Sequence, residues 1–325
     1  KEVFMGRAKF GVFGDGKELP QIAMSKFFSN GDFRSGYYRD QTFMMAIDQL
    51  TPDQFFAQLY AYTDIDKDPH SGGRQMNCHF GTRMLNNSGE WKTLTDMKNS
   101  SSDVSCVSGQ MPRIVGLAYA SKLFRENKEL KKLQNFSVNG DEVVFGTIGD
   151  ASTSEGHFWE AMNACGVLQV PVVMSIWDDG YGISVPSEYH TTRNDLSKAL
   201  SGFQRSSKHD KGFELFTVYA WDYVELLKTY SKAVDFARKS HVPCIIHVKE
   251  VTQPQGHTTS GSHERYKSKE RLQWEKDNCC IKKMKEWIIE NDISSLKELS
   301  EIEDKAEKSA KESRDRSWKD YRSSI

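Results

Sequence analysis

The sequence predicts an α/β fold, a parallel sheet flanked by helices with a charged helical extension at the C-terminal end. Three observations carry that expectation. From about residue 109, apolar runs of strand length alternate with segments of helical spacing. The strand runs are continuously apolar, as in strands covered on both faces. Beyond about residue 264 the composition turns strongly charged.

Residues 1 to 100 carry the weakest pattern. "TPDQFFAQLYAYTDI" at 51–65 reads as a helix with a Thr cap and Pro in its first turn. "SGGRQMNCHFGTRMLNNSGEW" at 71–91 and "DMKNSSSDVS" at 96–105 read as long loops, which inside a compact domain are often functional. "GQMPRIVGLAYASKLFREN" then spaces Ile114, Leu117, Ala118, Ser121 and Leu123 roughly as one buried helical face. "DEVVFGTIG", residues 141–149, is a buried strand. A helix over 155–168 follows, with Phe158, Ala161, Met162, Cys165 and Leu168 at three- and four-residue steps. "VPVVMSIW" at 170–177 is the next central strand. "FELFTVYAW", a helix near 223–239 and "PCIIHVKEV" repeat the unit. The charged segments after residue 264 read as surface helices whose Trp and Ile positions form a docked stripe. The expected division is an α/β domain over 1–263, including the N-terminal loop region, and a helical extension over 264–325.

The 325 residues carry 44 Lys and Arg against 45 Asp and Glu, a formal charge of -1. No global field favours nucleic acid or an anionic membrane, so neither is an expected partner. The six cysteines show no C-x-x-C spacing, and Cys165 and Cys244 lie in apolar segments, which fits a reducing compartment. No apolar run approaches the ~20 residues of a membrane span, and "KEVFMGRAKF" lacks the apolar core of a signal peptide. A cytoplasmic location is expected on these grounds.

The most informative stretch is "IGDASTSEG" at 148–156, where Asp150 closes a buried strand. "WDDGYGIS" at 177–184 closes the next strand roughly thirty residues later, about the length of one βαβ unit. Right-handed crossovers put both ends on one edge of a parallel sheet, where such folds bind ligands. Asp150 with Asp178 or Asp179, beside the N-terminus of the 155–168 helix, suits Mg²⁺ bound to a phosphate. The plainer reading makes Asp150 or Ser152 a helix cap, with Glu155 completing a capping box, and "DDG" an ordinary turn. Capping explains one acid but not two at matched strand ends. The "GDG" at 14–16 lacks both the preceding apolar strand and the second acidic turn, and is set aside.

"GDASTSEGHFWEAMNACGVLQVPVVMSIWDDGYGIS" resembles the thiamine diphosphate motif, which runs from G-D-G to N-N. It is most similar to the alpha subunit of the decarboxylating component of 2-oxoacid dehydrogenase complexes. "SGYYRD" at 35–40, "GGRQMNCHFG" at 72–81 and "SGQMPRIVGLAYASK" at 108–122 agree with that family, and the "GRQM" form resembles the branched-chain type. The resemblance covers most of residues 30–268. It implies thiamine diphosphate and Mg²⁺ as cofactors, with Asp150 and Asp179 ligating the metal through carboxylates and Tyr181 through its carbonyl. Gly149, Ala151 and Ser152 would let the helix N-terminus approach the diphosphate. Tyr38 and Arg39 would reach it from a loop, as a phenol and a guanidinium suit. Ser105, Val107 and Ile183 correspond to positions lining the two rings of the cofactor. His257 in "PQGHTTSGS" matches a family histidine near the diphosphate and substrate channel, and is the expected catalytic residue. Its loop reads as mobile and ordered by cofactor. His79 and Arg74 rank below it.

Ala151 replaces the last Gly of G-D-G, and Asp178 and Asp179 replace both asparagines of N-N. Asp179 remains a good magnesium ligand. Asp178 should repel a diphosphate unless it is paired or points away. Trp177 stands where branched-chain relatives carry an arginine, so a reduced cofactor affinity, or a compensating basic group elsewhere, is expected.

The resemblance implies decarboxylation of a 2-oxoacid, such as 2-oxoisovalerate, and reductive acylation of a lipoyl group on an acyltransferase component. The glutamate that activates the aminopyrimidine belongs in this family to a beta subunit or a fused beta region. This chain therefore reads as half of an active site, in a heterotetramer or its fused-chain equivalent. Pyruvate and acetoin dehydrogenases are the alternatives among enzymes, and a non-catalytic scaffold with a weakened cofactor site is the alternative outside them.

Overall fold

The structure, a computed structural model, describes residues 1–259 and 261–325; Ser260, part of the loop read as mobile, lies outside the described residues. The chain opens with α1 (Glu18–Ser25), β1 (Phe33–Ser35), α2 (Gln41–Ala46), α3 (Pro52–Leu59) and β2 (Asn99–Ser100). Thr51 caps α3 through a full capping box with Gln54, and Pro52 fills the first turn, as the sequence indicates. The helix stops at Leu59, because Ala61 adopts a left-handed φ of 57°. Between 60 and 98 the chain forms loops. β1 and β2 escape the sequence reading because they are only three and two residues long.

The regular part contains α4 (Met111–Glu126), β3 (Val144–Gly149), α5 (Gly156–Leu168) and β4 (Val172–Trp177). A short hairpin, β5 (Tyr181–Gly182) and β6 (Val185–Pro186), leads to α6 (Leu196–Leu200). Then come β7 (Glu214–Tyr219), α7 (Tyr223–Ser240) and β8 (Cys244–Lys249). α8 (Lys269–Asp277), α9 (Cys280–Glu290) and α10 (Leu296–Ser323) complete the described chain. Ser295 and Glu298 form a capping box at the start of α10, which packs along α3. Among the described residues no helix is long and apolar enough to cross a membrane.

Six strands form one parallel sheet in the order β2-β1-β3-β4-β8-β7. α4, α5 and α6 cover one face, burying Ile114, Phe158, Met162, Cys165 and Leu196 against Val144, Ile148, Val172 and Ile176. α1, α2 and α7 cover the other, burying Met24, Phe43, Tyr230 and Ala233 against Phe145, Val173 and Ile246. Both faces are therefore dry, which is why the central strands read as continuous apolar runs. Cys165 and Cys244 are core residues, and all six cysteines are free thiols.

Chain order changes direction at β1, which is flanked by two later strands, β2 on one side and β3 on the other. At such a point the connections leave to opposite faces, and a crevice opens beyond the C-terminal strand ends. The loops after β1, β3, β4 and β8 all arrive there.

Candidate cofactor site

Gly149 is paired with Trp177 in the β3–β4 register, so Asp150 and the Asp178–Asp179 pair emerge side by side. Asp150 donates its backbone N–H to the Trp177 carbonyl at 3.1 Å, tying the two turns together. The capping explanation fails on geometry. Asp150 makes no side-chain cap bond, and the residue at the N-cap of α5, Glu155, makes none either.

The loops enclose a cavity of about 280 Å³ lined by Tyr38, Arg39, Val107, Gly149, Asp150, Ala151, Ser152, Asp179, Tyr181, Ile183 and His257. Those residues come from segments up to 219 positions apart, and the fold brings them to one place. Ser105 lies outside that lining. Its exposed hydroxyl meets His79 Nε2 at 3.1 Å, and His79 in turn uses Nδ1 on the Asn77 carbonyl, so this serine is held toward the 77–79 loop. Tyr37, Trp177 and Gly182 also line the cavity. Neither Tyr37 nor Gly182 is singled out in the sequence, and Gly182 has no chemical signal of its own. A Cβ on Gly182 would stand 2.8 Å from that of Ala151, so the hairpin packs directly on the turn after β3.

The cavity has a positive and a negative side. On the positive side, Arg39 is 3 % exposed, donates to the Phe13 carbonyl at 2.5 Å and to the His257 carbonyl at 2.9 Å, and lies over the Tyr38 ring. Among the described residues no carboxylate lies within ion-pair distance of it. A buried guanidinium held by neutral acceptors suits an anionic ligand. Arg39 Nη2 also meets His257 Nδ1 at 3.0 Å. Since a guanidinium only donates, Nδ1 accepts and the proton of the neutral ring sits on Nε2. Burial and then the Arg39 charge push the His257 pKa down to about 4, so the ring is a neutral hydrogen-bond donor at pH 7.

On the negative side, Asp150 is buried and its Oδ2 has no hydrogen-bond partner. Burial, and then the nearby Asp179 and Asp178, push its carboxyl well above the usual range. His190 Nε2, also without a partner, lies 3.8 Å from Asp150 Oδ2. Asp178 is paired, as the sequence required of it. His247 Nε2 meets its Oδ2 at 2.7 Å, and although burial opposes it, that contact carries Asp178 below the usual carboxylate range. Asp179 Oδ1 accepts the Tyr181 N–H at 3.2 Å, while Arg271 of α8 clasps the Asp179 carbonyl at 2.7 Å and stacks over the Tyr181 ring.

These donors fit Mg²⁺ of one particular kind. Among the described residues no cluster of three or more His, Cys, Asp or Glu side chains could hold a metal alone. Two carboxylates, one with an orphaned buried oxygen, would hold magnesium only together with oxygens of the ligand, as Mg²⁺ bound to a phosphate commonly is. A divalent cation there would relieve the crowding of Asp150, Asp178 and Asp179.

Two further features prepare the site. Ile183 has a left-handed φ of 59° and is 59 % exposed at the cavity wall. A β-branched residue in that region is strained, and such strain concentrates at ligand sites. Behind the Tyr37–Arg39 turn, the fully buried Arg34 uses its N–H groups on Asp40 Oδ2, Ser100 Oγ, both Asp103 oxygens and the Tyr37 carbonyl, at 2.8 to 3.1 Å. That network anchors the turn carrying Tyr38 and Arg39. Sequence reasoning missed it because a lone Arg in a three-residue strand has no pattern.

A doubly wound sheet with a strand-end cavity of this charge pattern defines the class: an α/β protein whose site suits a phosphorylated ligand held beside a cation. The family model described as dehydrogenase E1 component matches residues 5–323, and the chain belongs to that family of thiamine diphosphate-dependent enzymes. It is 26 % identical over 74 % of its length to the 2-oxoisovalerate dehydrogenase subunit alpha of Bacillus subtilis, covering 62 % of that protein. It is 27 % identical over 63 % of its length to the pyruvate dehydrogenase E1 component subunit alpha of Rickettsia bellii, covering 56 % of it. With the human mitochondrial 2-oxoisovalerate dehydrogenase subunit alpha the identity is 24 % over 87 % of this chain and 55 % of the relative. The chain thus spans little more than half the length of the curated relatives it matches.

Proposed function

We propose that this chain is the alpha part of a decarboxylating 2-oxoacid dehydrogenase, holding the diphosphate and Mg²⁺ of thiamine diphosphate in the strand-end cavity. The observation that carries the reading is the pairing, in one cavity, of a buried guanidinium without a carboxylate and a buried carboxylate oxygen without a partner. Asp150, Asp179 and the Tyr181 carbonyl hold the metal. Arg39, Tyr38 and the backbone beyond Gly149 hold the diphosphate, and Val107 and Ile183 face the rings.

When bound, thiamine diphosphate supplies the carbanion that attacks the 2-oxoacid carbonyl and allows CO₂ to leave. The chain's own residues bind, orient and shield. Arg39 fixes the tautomer of His257, so this cavity-lining ring carries its proton on Nε2 as a donor. There it can orient a phosphate or substrate oxygen and, in the acyl transfer to a lipoyl group, guide a proton. Val107 and Ile183 are 53 % and 59 % exposed although both line the cavity. Apolar cavity walls left open to solvent support a second protein surface, the beta subunit or a fused beta region, closing over the cofactor.

The substrate proposed is a branched-chain 2-oxoacid such as 2-oxoisovalerate, supported by the "GRQM" stretch and by the names of the Bacillus and human relatives. The Rickettsia relative supports pyruvate as the second reading. Retention of both charged sides of the cavity speaks against a scaffold with a decayed site.

The test is calorimetric titration of thiamine diphosphate into the full-length protein with magnesium and with chelator, for the wild type and Asp150→Ala. Binding that needs magnesium and is lost in a folded Asp150→Ala variant is expected. Equal binding by both proteins would overturn the metal assignment. Turnover of 2-oxoisovalerate against pyruvate, with a lipoyl acceptor, decides the substrate.

A further inference from the structure

The "GDGK" turn at 14–17, which the motif criteria exclude, lies against the candidate site. Gly14 and Gly16 allow it to. A Cβ on Gly14 would stand 2.3 Å from the Arg39 carbonyl oxygen, and one on Gly16, where φ is +81°, would stand 2.1 Å from that of Thr252. The turn is therefore wedged between the loop carrying Arg39 and the loop leading from β8 to His257. Asp15 fastens it by accepting from Gln253 Nε2 at 2.5 Å and from the Gln255 N–H at 2.8 Å.

The wedge delivers Lys17, which is only 1 % exposed. Its Nζ donates to Gln253 Oε1 at 2.6 Å and reaches the Thr252 carbonyl and Asp179 Oδ2 at 3.4 Å each. A buried ammonium requires a compensating charge, and Asp179 is the carboxylate it pairs with. Asp178 already has His247 at 2.7 Å. Each of the two acids standing in place of the family's asparagines thus has its own basic partner. One comes from the turn before α1 and the other from β8.

On the function proposed above, we infer that Lys17 is a positioning residue for the cofactor: paired with Asp179, it offsets the acid-for-amide exchange, so that the turn after β4 tolerates an anionic diphosphate. Lys17 orients the Asp179 carboxylate while supplying the positive charge that Trp177 does not. Exchanging Asp179 as well as Lys17 for uncharged residues should then restore part of what exchanging Lys17 alone removes.

The experiment compares wild type, Lys17→Met, Asp179→Asn and the double variant in the full-length protein. Thiamine diphosphate is titrated at saturating magnesium, and Tm is measured without either. Lys17→Met should weaken binding at least tenfold, because Asp179 then faces the diphosphate uncompensated. Asp179→Asn should lower the Tm of the cofactor-free protein, because Lys17 is left buried without its carboxylate. The double variant should recover the Tm and bind more tightly than Lys17→Met, the behaviour of a coupled pair. If Lys17→Met does not fold, recovery of folding in the double variant supports the pairing, and continued failure overturns it. Wild-type affinity in folded Lys17→Met, or a double variant no better than Lys17→Met, overturns the inference while the function stands. Absence of magnesium-dependent binding by the folded wild type overturns the function and this role together.

Discussion

Replacing Arg34 by Met tests whether the site depends on a buried charge network that touches no ligand. The guanidinium is fully buried, and every N–H has an acceptor: Asp40, Ser100, two from Asp103 and the Tyr37 carbonyl. Met approximates its volume but leaves two buried carboxylates facing an apolar group. Removing one member of such a network costs about 3–5 kcal/mol. At about 2–4 °C per kcal/mol, the figure for domains of 150–250 residues, Tm should fall by roughly 6 °C or more. A pH signature accompanies the loss. Burial already raises the Asp103 carboxyl, with Arg34 the main opposing influence. Without Arg34 that carboxyl rises further above its unfolded value, so the variant gains stability as pH falls toward the acid side and loses it as pH rises. The Tm deficit relative to wild type should therefore be larger at pH 8 than at pH 5. Thiamine diphosphate binding should weaken as well, because the Tyr37 carbonyl loses the contact that sets the turn of Tyr38 and Arg39. Arg34→Lys should be nearly as damaging, since an ammonium cannot span four separate groups. Thermal unfolding monitored by circular dichroism at the two pH values, with calorimetric titration of the cofactor, gives all three readings. An unchanged Tm with unchanged affinity would refute the reasoning, as would a deficit independent of pH.

Trp177 lines the cavity with its indole N–H buried and unpaired. Trp177→Phe should leave the Tm of the free protein unchanged or raise it, because an unsatisfied buried donor costs about 1–3 kcal/mol. If the indole donates to the bound diphosphate, affinity should drop roughly ten- to hundredfold, the equivalent of about 1.5–3 kcal/mol for a bond to a charged acceptor; equal affinity would exclude that contact. His257 makes a further pH prediction. Burial and Arg39 hold its pKa at about 4, below the ordinary 6.5, so the unfolded chain takes up the proton first. The stability from burying it neutral is present in full above pH 6.5 and is lost as pH falls from 6.5 toward 4. His257→Asn should show a smaller acid-side fall in Tm over that window than wild type, and parallel curves would count against the neutral, Nε2-protonated ring.

How much of the site was legible depended on how each residue is placed. The facing of Asp150 and the Asp178–Asp179 pair could be read directly, since apolar period, chain order and crossover handedness leave neighbouring parallel strands little freedom in where they end, while the choice of Asp179 came from the resemblance. Tyr38, Arg39, Tyr181, Ile183 and His257 were legible only through motif resemblance. They sit on loops, and loop positions have no periodicity from which to infer direction. Ser105 shows the limit of that transfer. Its residue type matches, yet a bond to His79 holds it outside the cavity lining.

The sequence by itself determined the alternation of strands and helices from about residue 109, the edge on which the acids emerge and the family to which the chain belongs. Those follow from local pattern and chain direction. Tertiary structure alone decided how the excess negative charge is balanced. Lys17 meets Asp179 across 162 positions and His247 meets Asp178 across 69. Arg34 meets Asp103 across 69 as well. The reason is physical. A buried charge is specified by the group it touches, and contacts made between loops and strand interiors far apart in the chain leave no spacing in the sequence to announce them.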